Sequence, residues 1–436
     1  MTHSKADLVI RDAAQVVTCV GEPYDVGVVA DAWIAITGET IAAVGSRAEV
    51  EAAVDCSGAG VVDARGRVVV PGFVDAHTHL VFGGSRVEEY ALRMTVSDPS
   101  SLGDMLGARG IRSGPMATVE RTRRSSAAEL VESAAARLAG MLVTGTTTVE
   151  SKSGYGLSTA SEVLLLEVNR ALDANSPVDV VSTFLGAHGF PGEVARGDYL
   201  RCVIDEMIPL VAAAGLAEFA DVWCDDGYYT AAETRTILQA ARYAGMEPKI
   251  HADAYSYIGG SDVGAEMGAV SVDHLNYTPR PVVRRLAEAG VVGVIMPALD
   301  FAVRHPRPFD ARAMIEEGMT LALATDLCPA CWVESQQFVM ALACRNYAMS
   351  PAEALWAATR GGALALGMRD RGVLAAGCLA DIQIWGVPTF EHVIYRLGGN
   401  VVDQVLKRGR VVVDRGASVG GRVVVGPGAP AGGRVA

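Results

Sequence analysis

The chain has 436 residues, half of them hydrophobic, and a formal net charge of −13 at pH 7. A surface of that sign argues against nucleic acid and anionic membranes as partners. With no signal-peptide pattern at its start and no run of about 18 apolar residues, the chain is predicted to be cytoplasmic.

The two ends of the chain are predicted to build one small β domain together. Short strands separated by turn residues are expected at 7–11, 32–36, 40–45 and 60–64, and similar strands return at 377–385 and 401–413. The predicted domains are a composite β-sandwich from 1–70 and 370–416, a barrel over 71–369, and a last strand with a flexible tail over 417–436.

The middle of the chain alternates apolar strands with helical stretches, which is typical of βαβ units. We predict an α/β fold, a TIM-like (β/α)8 barrel, in which catalytic residues collect at the carboxyl ends of the strands. The eight predicted strands are 67–76, 145–150, 178–188, 219–223, 248–251, 269–274, 290–296 and 320–326.

His77-Thr78-His79 follows the first of these apolar runs directly. Residues i and i+2 of a strand point to the same side, so both imidazoles can reach one metal ion at the carboxyl end of the strand. Such an arrangement is common in hydrolases that activate water on a metal ion. The pair therefore predicts a reaction class before any substrate is named.

Other polar residues fall at the ends of later strands: His188, His251, His274 and Asp326. Any one of these histidines could be a buried structural residue, but five of the eight in the chain at one rim predict a shared metal and catalytic site. The predicted ligands of one divalent cation, Zn²⁺ with iron as the alternative, are His77, His79, His251 and Asp326.

The predicted chemistry needs a proton acceptor and a group that stabilises developing charge. A water molecule on such an ion loses a proton more readily, and Asp326 could accept it. His274 could stabilise an oxyanion or help to move the proton. A second ion would need a bridging carboxylate or a modified lysine, and the fourth strand ends without a lysine, so one ion is expected.

The eight cysteines are scattered, which fits reduced thiols better than a disulfide framework. Cys328 and Cys331 have CxxC spacing, but no second pair completes a structural zinc site. We expect these two residues to line a loop.

This arrangement resembles the amidohydrolase superfamily over essentially the whole chain. Finer motifs resemble the imidazolonepropionases, which open the ring of 4-imidazolone-5-propanoate to N-formimino-L-glutamate in histidine degradation. The resemblance implies a C–N hydrolase of cyclic amides that acts on a small heterocycle and forms a homodimer. The motifs that carry the resemblance are 71–75, 77–86, 118–123, 152–157, 182–188 and 251–253.

Carried over to this chain, the resemblance implies that Arg86, Tyr155 and His188 contact the substrate. Arg86 offers a planar fork for a carboxylate. The alternatives are an ion pair of Arg86 with Glu88 or Glu89 at the surface and a packed loop anchor for Tyr155. Lys152 is expected to form a structural ion pair rather than a Schiff base.

The chain departs from the imidazolonepropionase pattern at three places. Ala254 stands where the family has glutamate, the stretch around Pro99 replaces a Ser-Tyr pair, and Cys328-Pro329-Ala330 replaces Asn-Pro-Gly. Ala254 leaves three interpretations open: a paralogue with another ring substrate, an enzyme whose His274 and Asp326 do all the acid–base work, or an impaired Glu-to-Ala version. The functional alternatives are a deaminase or ring-opening hydrolase of another nitrogen heterocycle, and a silent binding protein.

Overall fold

A computed structural model describes residues 4–98 and 101–415. The predicted tail over 417–436, as well as Pro99 and Ser100, lie outside these residues. Within the described ranges, no helix has the length and apolar character needed to cross a membrane.

The strands fall into three sheets. They are β1 (Leu8–Arg11), β2 (Gln15–Val17), β3 (Val28–Ala30), β4 (Ala32–Thr37), β5 (Thr40–Ser46), β6 (Gly60–Asp63), β7 (Val68–Pro71), β8 (Phe73–Asp75), β9 (Thr146–Lys152), β10 (Asp179–Ala187), β11 (Phe219–Cys224), β12 (Glu247–Ala252), β13 (Ser271–His274), β14 (Val292–Ile295), β15 (Leu321–Leu323), β16 (Ile382–Trp385), β17 (Val402–Lys407) and β18 (Arg410–Asp414).

Most of the helices cover the barrel and connect its strands. They are α1 (Arg47–Ala53), α2 (Val87–Thr95), α3 (Leu102–Ala108), α4 (Gly114–Arg124), α5 (Ala127–Val143), α6 (Thr159–Asn175), α7 (Arg196–Arg201), α8 (Ile208–Ala213), α9 (Ala231–Tyr243), α10 (Gly260–Met267), α11 (Arg280–Glu288), α12 (Pro297–Val303), α13 (Ala311–Glu316), α14 (Gln336–Asn346), α15 (Pro351–Trp356), α16 (Gly362–Leu364) and α17 (His392–Tyr395). Turns of π-helix at Cys202–Met207 and Ala357–Gly361 join α7 to α8 and α15 to α16.

Strands β8 to β15 form one all-parallel, eight-stranded sheet in sequence order. The segments that follow its first and last strands pair with each other, so the sheet closes into a barrel. The backbone N–H of His79 donates to Leu327 (2.9 Å), and that of Asp326 donates to His77 (3.1 Å). Closure therefore takes place at the predicted metal ligands, and the predicted barrel is confirmed.

The remaining two sheets form the predicted sandwich. One has the order β5-β4-β1-β6, and the other has the order β18-β17-β16-β7-β2-β3, which unites strands from both ends of the chain. Residues of both sheets share one buried apolar cluster, including Ile10, Ile34, Val16 and Ile382. The composite sandwich is confirmed, and 401–413 proves to be a hairpin of two strands rather than one.

The apolar run 67–76 is not one strand, as the sequence suggested. Its first half is β7 in the sandwich and its second half is β8 in the barrel, with Gly72 between them. A Cβ at Gly72 would collide with the side chain of Thr147 on the neighbouring strand. The chain therefore passes from one sheet to the other at the one residue that allows this close approach.

Candidate metal and substrate site

The barrel brings the four predicted metal ligands together. His77 and His79 follow β8, His251 lies in β12, and Asp326 follows β15 by three residues. Nε2 of His77 and Nε2 of His79 each lie 3.8 Å from Oδ1 of Asp326. One ligand atom from each of the three histidines lies within 4.8 Å of the others.

The buried nitrogen and oxygen atoms between these four side chains suit a cation. Nε2 of His77, Nε2 of His251 and Oδ1 of Asp326 are buried and have no hydrogen-bond partner within 4–98 and 101–415. Buried polar atoms are almost always paired, because an unpaired one keeps the full cost of losing water. Imidazole nitrogens with one carboxylate suit a divalent first-row metal ion, so the residues present fit such an ion.

Two further carboxylates orient the ligands. Nδ1 of His77 lies 2.6 Å from Oδ2 of Asp273, and Nδ1 of His251 lies 2.7 Å from Oδ2 of Asp221. Each carboxylate accepts a hydrogen bond from Nδ1–H, which leaves the Nε2 lone pair available to a cation. Neither aspartate was predicted as a site residue, although a charged residue inside a buried strand is an available signal.

Lys152 lies behind these carboxylates and is fully buried. Its Nζ lies 2.8 Å from Glu150, 2.8 Å from Asp221 and 3.4 Å from Asp273, which confirms the predicted ion pair. Asp221, His251 and Asp273 form another close group of possible ligand atoms. Because the Lys152 ammonium already neutralises that group, the arrangement favours a single cation.

Burial favours the neutral form of four imidazoles at the site. It is the largest cause that lowers the pKa of His77, His79 and His274 well below the usual histidine value, and it lowers the pKa of His188 to about 3. Neutral imidazole is the form that binds metal ions and accepts hydrogen bonds. Burial also raises the pKa of Asp326 to about 6.

A cavity of about 440 Å³ opens over the ligand atoms. Its lining includes the remaining predicted site residues Arg86, Tyr155, His188 and His274. His274 has a φ of 82°, rare for a residue with a Cβ, and its ring centroid lies 5.1 Å from that of His251. Of the residues predicted for the site, only His77 lies behind the cavity wall.

The loop that carries Tyr155 is fixed by Glu162 on α6. This buried carboxylate accepts hydrogen bonds from the backbone N–H groups of Gly154 (2.8 Å), Gly156 (2.7 Å) and Leu157 (2.7 Å). A Cβ at Gly154, where φ is +101°, would lie 2.9 Å from Nδ1 of His188. The glycines of this motif are therefore needed to bring Tyr155 and His188 side by side.

Arg86 forms a buried ion pair at the cavity wall. Its Nε and Nη2 donate to Glu89 over 2.8 and 2.5 Å, and Nη2 of Arg93 donates to the same carboxylate over 3.1 Å. The side chains of Arg86 and Glu89 are 8% and 5% exposed, so this is not the surface pair considered from the sequence. Two guanidinium groups share one carboxylate, which leaves a positive charge suited to an anionic ligand.

Two of the departures from the family pattern line the same cavity, namely Ala254 and Cys328. Cys328 and Cys331 form a tight hairpin in which each backbone N–H donates to the other residue's carbonyl, over 2.9 and 3.0 Å. All eight cysteines are free, as expected. Cys328 lines the cavity, whereas Cys331 is fully buried behind it.

Comparison with known proteins agrees with this geometry. The amidohydrolase family matches residues 68–412. The chain is 40% identical over 422 residues to an imidazolonepropionase of Alkaliphilus metalliredigens, covering 94% of this chain and 99% of that one. It is 43% identical to an imidazolonepropionase of Symbiobacterium thermophilum, covering 94% and 98%.

A solved structure adds support for the fold alone. Atrazine chlorohydrolase from Arthrobacter aurescens, complexed with zinc, superposes with a TM-score of 0.70 at 20% identity, over 95% of this chain and 97% of that one.

Proposed function

Because the chain belongs to the amidohydrolase family, we propose that it hydrolyses the ring amide of 4-imidazolone-5-propanoate to N-formimino-L-glutamate, as the name of its 40–43% identical relatives suggests. The observation that carries the proposal is that His79, His251 and Asp326 line the same cavity as the guanidinium groups of Arg86 and Arg93. The substrate has a matching carboxylate and ring carbonyl. The barrel over 71–369 is the proposed catalytic domain, and a homodimer is the proposed assembly.

His77, His79, His251 and Asp326 would hold one divalent cation, proposed to be Zn²⁺ with iron as the alternative. When bound, such an ion polarises a carbonyl group and lowers the pKa of water. His79, His251 and Asp326 line the same cavity as Arg86, Tyr155 and His188, which supports this proposal. The substrate carbonyl is therefore proposed to lie at the ligand side and its carboxylate at the Arg86 side.

The protein's own residues would then bind the substrate and move the proton. Arg86 and Arg93 bind the propanoate carboxylate, while Tyr155 and His188 hydrogen-bond polar atoms of the ring. Asp326 accepts a proton from the attacking water and returns it to the ring nitrogen as the C–N bond breaks. The water hydroxyl joins the carbonyl carbon, and His274 stabilises the negative charge that develops on the oxygen.

Replacing one metal ligand tests this proposal. His251→Ala is expected to lose both the bound metal, measured by elemental analysis, and turnover of the ring, because its Nε2 is one of the unpaired atoms of the site. His392→Ala, in α17 away from the cavity, is the matched control and should keep both. Turnover retained by His251→Ala would overturn the proposal.

Ala254 favours a second candidate, a hydrolase or deaminase of another nitrogen heterocycle with the same site. A substrate panel separates the two, because deamination releases ammonia from an exocyclic amine whereas ring opening forms a new carboxylate. A silent binding protein would hold a small molecule without turnover. Ala254→Glu, which restores the family's carboxylate, distinguishes an impaired enzyme from one with another substrate.

A further inference from the structure

The backbone turns sharply where His274 ends β13, over residues 274–277, which we call the His274 turn. His274 and Leu275 have φ angles of 82° and 63°, so two consecutive residues with a Cβ lie in the left-handed region. This region favours glycine, because a Cβ there approaches a neighbouring carbonyl oxygen. Such strain persists only where the surrounding structure holds it in place, and it is typical of functional sites. The contacts of the His274 turn therefore fix the position of the His274 ring.

Backbone hydrogen bonds hold one side of the His274 turn. The N–H of Leu275 donates to the carbonyl of Ala252 over 3.2 Å, and the N–H of Tyr277 donates to that of Asp253 over 2.9 Å. Ala252 is the last residue of β12, and Asp253 follows it. This side of the turn is therefore tied to the strand that carries His251.

The side chain of Asn276 holds the other side of the turn. Its Nδ2 donates to Oδ1 and Oδ2 of Asp300, over 3.1 and 3.0 Å, and to the carbonyl of Arg307 over 2.9 Å. All three partner atoms are acceptors, so only the NH₂ end of the amide fits here. Asn276 and Asp300 are both buried, and Asp300 lies in α12, which follows β14. A second element of the barrel thus holds the turn through one buried side-chain contact.

The carboxylate of Asp300 has another partner that serves as a comparison. The hydroxyl of Tyr347, directly after α14, donates to Oδ2 of Asp300 over 2.9 Å. Tyr347 and Asn276 therefore bond to the same buried carboxylate, but only Asn276 belongs to the His274 turn. Loss of either partner costs hydrogen bonding at Asp300, whereas loss of Asn276 alone also frees the turn.

The position of the His274 ring matters because the ring lines the cavity beside the proposed metal ligands. Its centroid lies 5.4 Å from that of His77 and 5.1 Å from that of His251. In the proposed function this ring stabilises the charge that develops on the carbonyl oxygen, which requires a group already held in place. A displacement of about 1 Å in such a site can cost about 100-fold in rate.

We propose that Asn276 and Asp300 are positioning residues, which hold the His274 turn in its left-handed conformation and so keep the His274 ring in the catalytic site. The inference rests on the proposed ring-opening function, which gives His274 its part in the reaction. Neither Asn276 nor Asp300 is among the residues that line the cavity, so both act through the backbone of the turn and not on the substrate.

The test compares Asn276→Ala with Tyr347→Phe in metal-loaded protein. Each removes hydrogen bonding to Asp300, so both are expected to lower the free energy of unfolding in urea. Only Asn276→Ala is expected to lower kcat, by roughly 10- to 100-fold, because only there does the His274 ring move. KM and bound metal should change little, since the arginines and the proposed ligands keep their contacts. Asp300→Asn, which keeps an acceptor oxygen for Asn276, should retain most of the parent's kcat.

Crystal structures of the two variants give a readout that does not depend on turnover. The His274 ring should be displaced in Asn276→Ala and unmoved in Tyr347→Phe. Asn276→Ser, whose hydroxyl is too short to reach Asp300, covers the case in which Asn276→Ala does not fold.

A parent-like kcat, or a His274 ring in its parent position, in the Asn276 variant would overturn this inference and leave the proposed function intact. Equal losses of kcat in the Asn276 and Tyr347 variants would also overturn it, because activity would then follow stability and not the turn. If the metal-loaded parent does not open the ring, the proposed function fails, and the crystal structures alone decide whether Asn276 holds His274.

Discussion

Asp273 and Asp221 lie behind the proposed metal ligands, and each is hydrogen-bonded to Nδ1 of one imidazole, that of His77 or of His251. Asp273→Asn keeps the size of the side chain but removes the charge that polarises His77. We expect the dissociation constant of the metal, measured by chelator competition, to rise roughly 10- to 100-fold. Asp104→Asn, at an exposed position of α3, is the control, and equal affinities of the two variants would contradict this role.

At the residue scale, the candidate ligands were predictable because histidines and an aspartate stood at the ends of strands, and the barrel brings these side chains together. The sequence predicted an ion pair for Lys152, but not the carboxylates that take part in it. Asp221, Asp273 and Lys152 contact one another from three different strands, so no local pattern links them. Similarly, Arg86 was given two interpretations, and only the fold shows that its partner Glu89 is buried and shared with Arg93.

At the scale of elements, the motif between β9 and α6 depends on one carboxylate. Glu162→Gln keeps the shape of the side chain but weakens its acceptance of three backbone N–H groups. We expect the free energy of unfolding in urea to fall by roughly 1–3 kcal/mol. We also expect KM to rise more than kcat falls, because Tyr155 and His188 lose their fixed positions.

The matched control is Glu167→Gln, an exposed position of the same helix, which should change neither stability nor KM. A Glu162→Gln protein with the parent's KM would show that the loop is fixed by other contacts.

The barrel strands were predictable because buried parallel strands are continuous apolar runs, unlike the helices between them. The division of 67–76 into two strands was not predictable. It depends on the close approach of Gly72 to Thr147, which is distant in sequence. Local patterns predict elements, whereas contacts between elements decide where one sheet ends and the next begins.

At the scale of the whole molecule, Asp179 joins the barrel to the six-stranded sheet. Its carboxylate lies 2.9 Å from Nζ of Lys407, 2.5 Å from Nη1 of Arg371 and 3.1 Å from Nη2 of Arg408. Burial alone would raise the pKa of Asp179, but the three cations outweigh it and lower the pKa to about 2. The stabilisation is therefore complete above the unfolded pKa of about 3.9 and is lost as the pH falls through about 2.

Asp179→Asn removes this pH-dependent contribution. We expect the variant to be less stable than the parent by roughly 1–3 kcal/mol at pH 5, because the cations lose a charged partner. The difference should shrink as the pH falls from about 4 to about 2, where the parent's own carboxyl becomes protonated. Urea unfolding at several pH values measures this difference in stability. Asp63→Asn, at an exposed position, is the control. A difference that stays constant over this range would contradict the assignment.

The most direct test is turnover of 4-imidazolone-5-propanoate by zinc-loaded protein, detected as the loss of ring absorbance. The metal bound per chain is counted in the same sample. We expect ring opening to N-formimino-L-glutamate with about one ion per chain, since the triad of His77, His79 and His251 and the triad of His77, His274 and Asp326 share His77. Protein that holds its metal ion and does not open this ring would contradict the proposed function.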